Sequence, residues 1–240
     1  MLLGCIGDDF TGSSAVAEVL TFAGLDTILF LQTPTPEQLA RFSNRRAIGI
    51  AGVARAHGPD WMQRELPANF EALTAMGAPI IHYKVCSTLD SAPHVGSIGA
   101  ALDIALPIVG GDWCPIVIAA PEIARFQAFG NLFAVADGAA HRLDRHPTMS
   151  RHPVTPMHEA DIRRHLSAQT REPLGLVDLL ALKSGQADAS LAAELSAGRR
   201  VVALDVIDAE TLRAVGALIW RHRGARLLAV GSQGLEYALV

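Results

Sequence analysis

Short apolar runs alternate along this chain with longer stretches whose apolar positions recur at helical spacing. The apolar runs are Leu2–Ile6, Thr27–Leu31, Ala47–Gly52, Ile80–Val85, Ile116–Ala119, Val201–Asp205 and Leu227–Val230, each the length of a strand. The helical patterns are Ala15–Phe22, Glu37–Phe42, Asp60–Met76, Val95–Pro107, Glu159–Gln169, Ala187–Ser196 and Ala209–Arg223. Several run into a glycine suited to ending a helix: Gly24, Gly77, Gly198 and Gly224. Strands alternating with helices predict an α/β fold, a mainly parallel open sheet flanked by helices in a Rossmann-like, three-layer arrangement.

Two segments break the rhythm. From Pro121 to Pro156 the chain is rich in Gly, His, Pro and Arg and has no helical period. Leu132–Val135 and Ala140–Leu143 flank Asp137-Gly138, the signature of a tight hairpin, and a long irregular loop is expected after them. The insertion is therefore predicted as hairpin plus loop around 121–156. At the other end, Gly231-Ser232-Gln233-Gly234 reads as a turn and Leu235–Val240 as the opening of a helix with no cap. That uncapped helix suggests a piece of something longer.

Composition supports the same class. At 240 residues, half of them apolar and 5% aromatic, the core must come from Ala, Leu, Val and Ile. Such a length can bury a large core without metals or disulfides. The net charge is −4 with no run of like charges, so no electrostatic footprint for nucleic acid or an anionic membrane is present. Cys5, Cys86 and Cys114 are odd in number and lack CxxC spacing, as expected in a reducing cytoplasm. The opening apolar residues meet Asp8 too soon for a signal peptide, and no apolar stretch approaches the ~20 residues of a membrane span. A cytoplasmic protein is expected.

Candidate chemistry gathers where strands end, since ligands of open α/β sheets bind outside the carboxyl ends of the strands. The first strand runs into Asp8 and Asp9, and Thr11-Gly12-Ser13-Ser14 leads into a helix. One Asp with Ser13 would suffice as a helix cap; two adjacent carboxylates repel, which favours a functional pair. Lys84 lies in an otherwise apolar strand and needs an anion, either Asp8, Asp9 or an acidic ligand. Ser87, Thr88, Asp90 and Ser91 follow it with hydroxyls and a carboxylate suited to a polyol, or to capping the next helix. Arg125, after another strand, is placed to clamp a carboxylate or to lie exposed. His141, His146, His152 and His158 match no compact ligand spacing, so no metal site is expected. No P-loop, no GxGxxG after the first strand, no DxD phosphatase spacing and no GxSxG elbow occur. Spacing alone therefore yields an α/β domain for a small polar, anionic ligand.

Several motifs together go further. Ile6-Gly7-Asp8-Asp9-Phe10-Thr11-Gly12-Ser13, Lys84-Val85-Cys86-Ser87-Thr88-Leu89-Asp90-Ser91, Gly96-Ser97-Ile98-Gly99, His152-Pro153-Val154-Thr155-Pro156-Met157, Gln169-Thr170 and Gly231-Ser232-Gln233-Gly234-Leu235 occur in this order. With them the chain resembles the N-terminal domain of the four-carbon acid sugar kinases, once catalogued as a domain of unknown function (DUF1537), over essentially its whole length. The resemblance implies that 1–240 is the sugar-acid-binding domain of a two-domain, ATP-dependent tetronate or 3-oxo-tetronate kinase that phosphorylates a terminal hydroxyl. It further implies Mg²⁺ and ATP in the intact enzyme, neither bound tightly by this chain alone, and a C-terminal nucleotide-binding domain absent here. Partners would be a small sugar acid and that second domain, with no nucleic acid or membrane and with an oligomer open.

Phosphoryl transfer needs positioning, charge neutralisation and a carboxylate for the hydroxyl proton. By the resemblance Asp9 is the candidate base, with Asp8 binding substrate or supporting the turn. Lys84 and Arg125 would meet the sugar-acid carboxylate, and Thr11, Gly12, Ser13, Ser87, Thr88 and Asp90 would hold the polyol. Gly231, Ser232 and Gly234 would mark the handover to the nucleotide side. The family usually has Gly-Arg after its fifth strand, where this chain has Ala124-Arg125, although Gly130-Asn131 remains. Two further readings stay open: a non-catalytic sugar-acid-binding domain and a Mg²⁺-dependent hydrolase built on the acid pair.

Overall fold

In the computed structural model, which describes all 240 residues, the chain folds around one eight-stranded sheet. Its strands are β1 (Leu3–Gly7), β2 (Thr27–Phe30), β3 (Ala47–Ile50), β4 (Ile80–Lys84), β5 (Cys114–Val117), β9 (Leu174–Val177), β10 (Val201–Leu204) and β11 (Leu227–Gly231). A small antiparallel sheet adds β6 (Arg125–Ala128), β7 (Asn131–Ala136) and β8 (Ala139–Arg142). The large sheet runs β2-β3-β1-β4-β11-β5-β10-β9, every neighbouring pair parallel. The chain leaves β1 toward the β2 edge, returns through β3 and crosses β1 to reach β4. That reversal is a topological switch point, where open sheets leave a crevice at their carboxyl ends.

Most of the strands are apolar because they feed two cores; the polar exceptions are Thr27 in the edge strand β2 and His82 and Lys84 in β4. In β4, Ile80 joins one core and Ile81 and Tyr83 the other; in β11, Leu227 and Ala229 face one way, Leu228 and Val230 the other. Helices α3 (Pro59–Ala75) and α4 (Ile98–Val109), together with α5 (Ile162–Ser167), cover the face of Ile81, Tyr83, Leu228 and Val230. Helices α1 (Phe10–Phe22), α7 (Ala187–Ser196), α8 (Ala209–Arg221) and α9 (Gly234–Leu239) cover the face of Ile80, Leu227 and Ala229. Two short helices, α2 (Pro36–Arg41) and α6 (Leu179–Lys183), follow β2 and β9. No helix is long and apolar enough to cross a membrane.

Several boundaries differ from the sequence pattern, each for a local reason. Helix α1 starts at Phe10, five residues before Ala15, because Asp9 caps it through Gly12 N at 2.8 Å. Strand β5 spans Cys114–Val117, ahead of the expected Ile116–Ala119. The Glu159–Gln169 pattern is helical only from Ile162 to Ser167, where Asp161 caps it. Strand β9 and helix α6 lie where no element was expected: β9 forms the sheet edge, only two of its four residues are buried, and Gly175 interrupts its apolar run. The hairpin at Asp137-Gly138 forms as expected, both residues at positive φ. Its third strand, β6, is too polar to read as one and is held by pairing with β7 and a bridge from Gln127 to Val206. The stretch after it is ordered by two single 3-10 turns, Leu143–Arg145 and Met149–Arg151.

Candidate functional site

The carboxyl ends of β3, β1, β4 and β11 bring the charged residues together. Asp8 and Asp9 follow β1, and Arg55 rides on a 3-10 turn (Ala54–Ala56) after β3. Gly52 permits this approach, since a Cβ there would come within 2.5 Å of the Gly7 carbonyl oxygen. Arg55 Nη2 and Nε donate to the two oxygens of Asp8 at 2.6 and 3.0 Å, and Nη1 donates to Asp9 Oδ2 at 2.9 Å. The Arg55 backbone N–H also donates to the Asp8 carbonyl oxygen at 3.0 Å. One guanidinium therefore satisfies the repulsive acid pair, using the fork geometry that suits carboxylates.

The two acids differ. Asp8 is buried, and burial pushes its carboxyl up from the ordinary range against the hydrogen bonds and charge of Arg55. Burial likewise works against the Arg55 charge, yet the hydrogen bonds and charge of Asp8 hold the guanidinium firmly protonated. Asp9 keeps 27% of its side chain exposed and spends Oδ1 on the helix cap. The structural role of a cap and the placement of an acid at the crevice thus coincide in this residue.

A cavity of about 320 Å³ opens beside this cluster, lined by Asp8, Asp9, Arg55, Asp90, His152 and Thr155 among others. The Asp90 carboxylate accepts from Thr88 Oγ1 at 2.7 Å. Leu89, within the same loop, holds a φ of +57°, a conformation that costs a non-glycine residue about 1–3 kcal/mol. The wall across from the acids comes from the insertion. His152 Nδ1 accepts from the backbone N–H of Thr155 at 3.0 Å and of Val154 at 3.4 Å, so the ring proton of the neutral imidazole sits on Nε2. The cavity lining therefore combines carboxylates, a guanidinium and an imidazole with the apolar side chains of Phe10, Val53, Ala56 and Val154.

Of the residues named from the sequence, Asp8, Asp9 and Asp90 line this cavity. Thr11, Gly12, Lys84 and Ser87 gather with Asp9 and Arg55 around a second, smaller one. Ser13 lies outside both: it is buried, and its hydroxyl donates to the Asp9 carbonyl oxygen at 2.6 Å inside the turn. Thr88 is nearly buried and orients Asp90. Arg125 stands on β6, lines neither cavity, and donates to the carbonyl oxygens of Ile123 and Ala124. Gly231, Ser232 and Gly234 are buried in packing. A Cβ on Gly231 would lie 2.4 Å from the Val117 carbonyl oxygen and one on Gly234 1.9 Å from that of Ala119, while Ser232 Oγ accepts from Gly234 N. Gln233, between them, is the member of that turn that reaches the smaller cavity.

Lys84 does not pair with either carboxylate, contrary to the simplest expectation; Arg55 holds both. Sequence reading missed Arg55, although it follows a strand end as the acid pair does, and two adjacent acids demand a cation. It also passed over His152 and Thr155 as site residues, because nothing local says that this loop folds back over β1. The other recurring blocks form a joint: Gln169 packs on Gly99 and accepts from its N–H at 3.3 Å, and Thr170 donates to Asp103.

A parallel sheet with an acid–arginine cluster and a cavity beside it at the switch point defines a small-ligand-binding α/β domain. Residues 3–239 match the family described as the sugar-binding N-terminal domain, and the chain belongs to it. Its curated relatives include the 3-oxo-isoapionate kinase of Paraburkholderia graminis, 51% identical over all of this chain and 51% of that protein. Another is the 3-oxo-tetronate kinase of Methylobacterium radiotolerans, 33% identical over all of this chain and 54% of that protein. Among solved structures, a Haemophilus influenzae protein of the DUF1537 family superposes with a TM-score of 0.86 at 27% identity, covering 98% of this chain and 55% of that one. The chain thus spans about half the length of the curated relatives it matches.

Proposed function

We propose that this chain is the sugar-acid-binding half of an ATP-dependent kinase for a 3-oxo sugar acid, of the 3-oxo-isoapionate or 3-oxo-tetronate class. The observation that carries the reading is the division of labour in the acid pair. Asp8 is buried and locked by Arg55, whereas Asp9 is part-exposed and borders both cavities. The 51% identity to the 3-oxo-isoapionate kinase favours 3-oxo-isoapionate over the 3-oxo-tetronates, whose kinases are less similar.

In this reading the larger cavity holds the sugar acid. Arg55 and His152 Nε2–H are the donors available to its carboxylate or oxo group, and Asp90 accepts from its hydroxyls. Asp9 accepts the hydrogen bond of the hydroxyl to be phosphorylated and takes its proton as the new O–P bond forms. Asp8 holds Arg55, so that the guanidinium keeps Asp9 oriented. ATP with Mg²⁺, when bound by the intact enzyme, supplies the phosphoryl group, and transfer of this kind is mostly positioning and charge neutralisation. Thr11, Lys84 and Ser87 are the donors of this chain that suit an incoming phosphoryl group.

Asp9→Asn in the intact kinase should lower kcat by about three orders of magnitude, within the range general-base catalysis and orientation supply together. The affinity for the sugar acid should change little. Turnover within a few-fold of wild type would remove Asp9 from the role of base.

A further inference from the structure

The smaller cavity, about 140 Å³, shares Asp9 and Arg55 with the larger and is otherwise built from different residues. Its floor is Lys84, 2% exposed at the end of β4. A buried ammonium is costly unless paired and hydrogen-bonded. Here Nζ donates only to the Val85 carbonyl oxygen, at 2.6 Å, which leaves two of its three N–H groups without a protein acceptor. No carboxylate reaches it within ion-pair distance, because Arg55 has taken both oxygens of Asp8 and one of Asp9. Gly12 keeps the space open: a Cβ there would lie 2.7 Å from Lys84 Nζ and 2.5 Å from Asp9 Oδ1.

Other donors around the same space are also unspent. The hydroxyls of Thr11 and Ser87 donate to nothing in the chain, and the first-turn N–H of Thr11 has no acceptor. Helix α1 runs thirteen residues and directs the positive end of its dipole here. Gln233 adds an amide from the turn after β11. The larger cavity is different in kind, since Asp8, Asp9 and Asp90 line it.

We propose that this smaller cavity is a phosphoryl-binding subsite, with Lys84 as its buried cation and Thr11, Ser87 and the start of α1 as its neutral donors. Lys84 then addresses the phosphoryl group of the phosphorylated sugar acid and not the sugar-acid carboxylate. This rests on the kinase reading for its biological meaning, but the chemistry of the subsite stands on the residues alone. Asp9, bordering both cavities, lies where the hydroxyl oxygen and the phosphorus must meet.

The test uses the 240-residue chain with inorganic phosphate as probe, read by calorimetry and ³¹P line broadening, and separately with the unphosphorylated 3-oxo sugar acid. Wild type should bind phosphate saturably. Lys84→Met, which keeps the apolar stem, should weaken phosphate binding at least tenfold and leave sugar-acid affinity within about twofold. Ser87→Ala, which loses no intramolecular bond, should weaken phosphate binding several-fold and serves if Lys84→Met does not fold. The proposal is overturned if wild type binds no phosphate, or if the variants lose sugar-acid affinity while phosphate binding is unchanged. Failure of the sugar acid to bind wild type, with phosphate binding intact, would instead count against the kinase reading.

Discussion

Arg55 shows how one residue can decide the state of several others. It satisfies two adjacent carboxylates, holds the turn after β3 against β1, and leaves Lys84 free of an acid partner. Removing one partner of a buried pair costs more than the pair contributes, because the remaining charge is stranded. Arg55→Met should therefore destabilise the chain by about 3–5 kcal/mol, measured as a lower urea midpoint with an unchanged slope. A second residue-scale effect concerns His165, packed among Ser91 and Gln169 near the same loop. Burial lowers its pKa to about 4 from 6.5, so the fold keeps it neutral while the unfolded chain protonates first. That stability is present above pH 6.5 and is lost as pH falls toward 4, by up to about 3 kcal/mol. Unfolding titrations should show this loss in wild type and a flatter profile in His165→Gln.

At the scale of elements, the parts that sequence made legible are those with a repeating physical cause. Seven of the large sheet's strands were expected because they read as apolar runs, six of them buried on both faces and the seventh, β2, a half-buried edge strand. The Asp137-Gly138 hairpin was expected because both turn residues need positive φ, which Asp-Gly supplies at low cost. Strands β6 and β9 escaped, because each is stabilised by neighbours distant in sequence and not by its own pattern. Asp205 makes the point for β6: its buried carboxylate accepts from Gln127 Nε2 and from the N–H groups of Phe129, Gly130 and Leu179, tying the small sheet to the large one. The departure noticed at Ala124 also acquires a cause. Ala124 sits at φ +57°, the left-handed region that favours glycine. Ala124→Gly should therefore stabilise the chain by about 1 kcal/mol, a rise in Tm of about 2–4 °C for a domain of this size, without altering ligand binding.

For the molecule as a whole, the switch point gathers residues from four strand ends, and the insertion supplies the opposite wall. The acid pair, Lys84 and the loop through Asp90 were legible as candidates, and the fold brings them to the two cavities, because polar groups at strand ends have few structural reasons to be there. Arg55, His152 and Gln233 were not, since their relation to the site exists only after the sheet order is set. Ser13, Gly231, Ser232 and Gly234, which look functional in one dimension, each have a packing or hydrogen-bonding role in the fold. The central claim is that the larger cavity holds a 3-oxo sugar acid and that this chain by itself does not hold ATP tightly. Calorimetric titration of the 240-residue chain with 3-oxo-isoapionate, and separately with Mg·ATP, tests it most directly. One-to-one sugar-acid binding that is weakened at least tenfold in Asp90→Ala, with no tight ATP binding, is the predicted result. Absence of sugar-acid binding, affinity indifferent to Asp90, or tight ATP binding would contradict it.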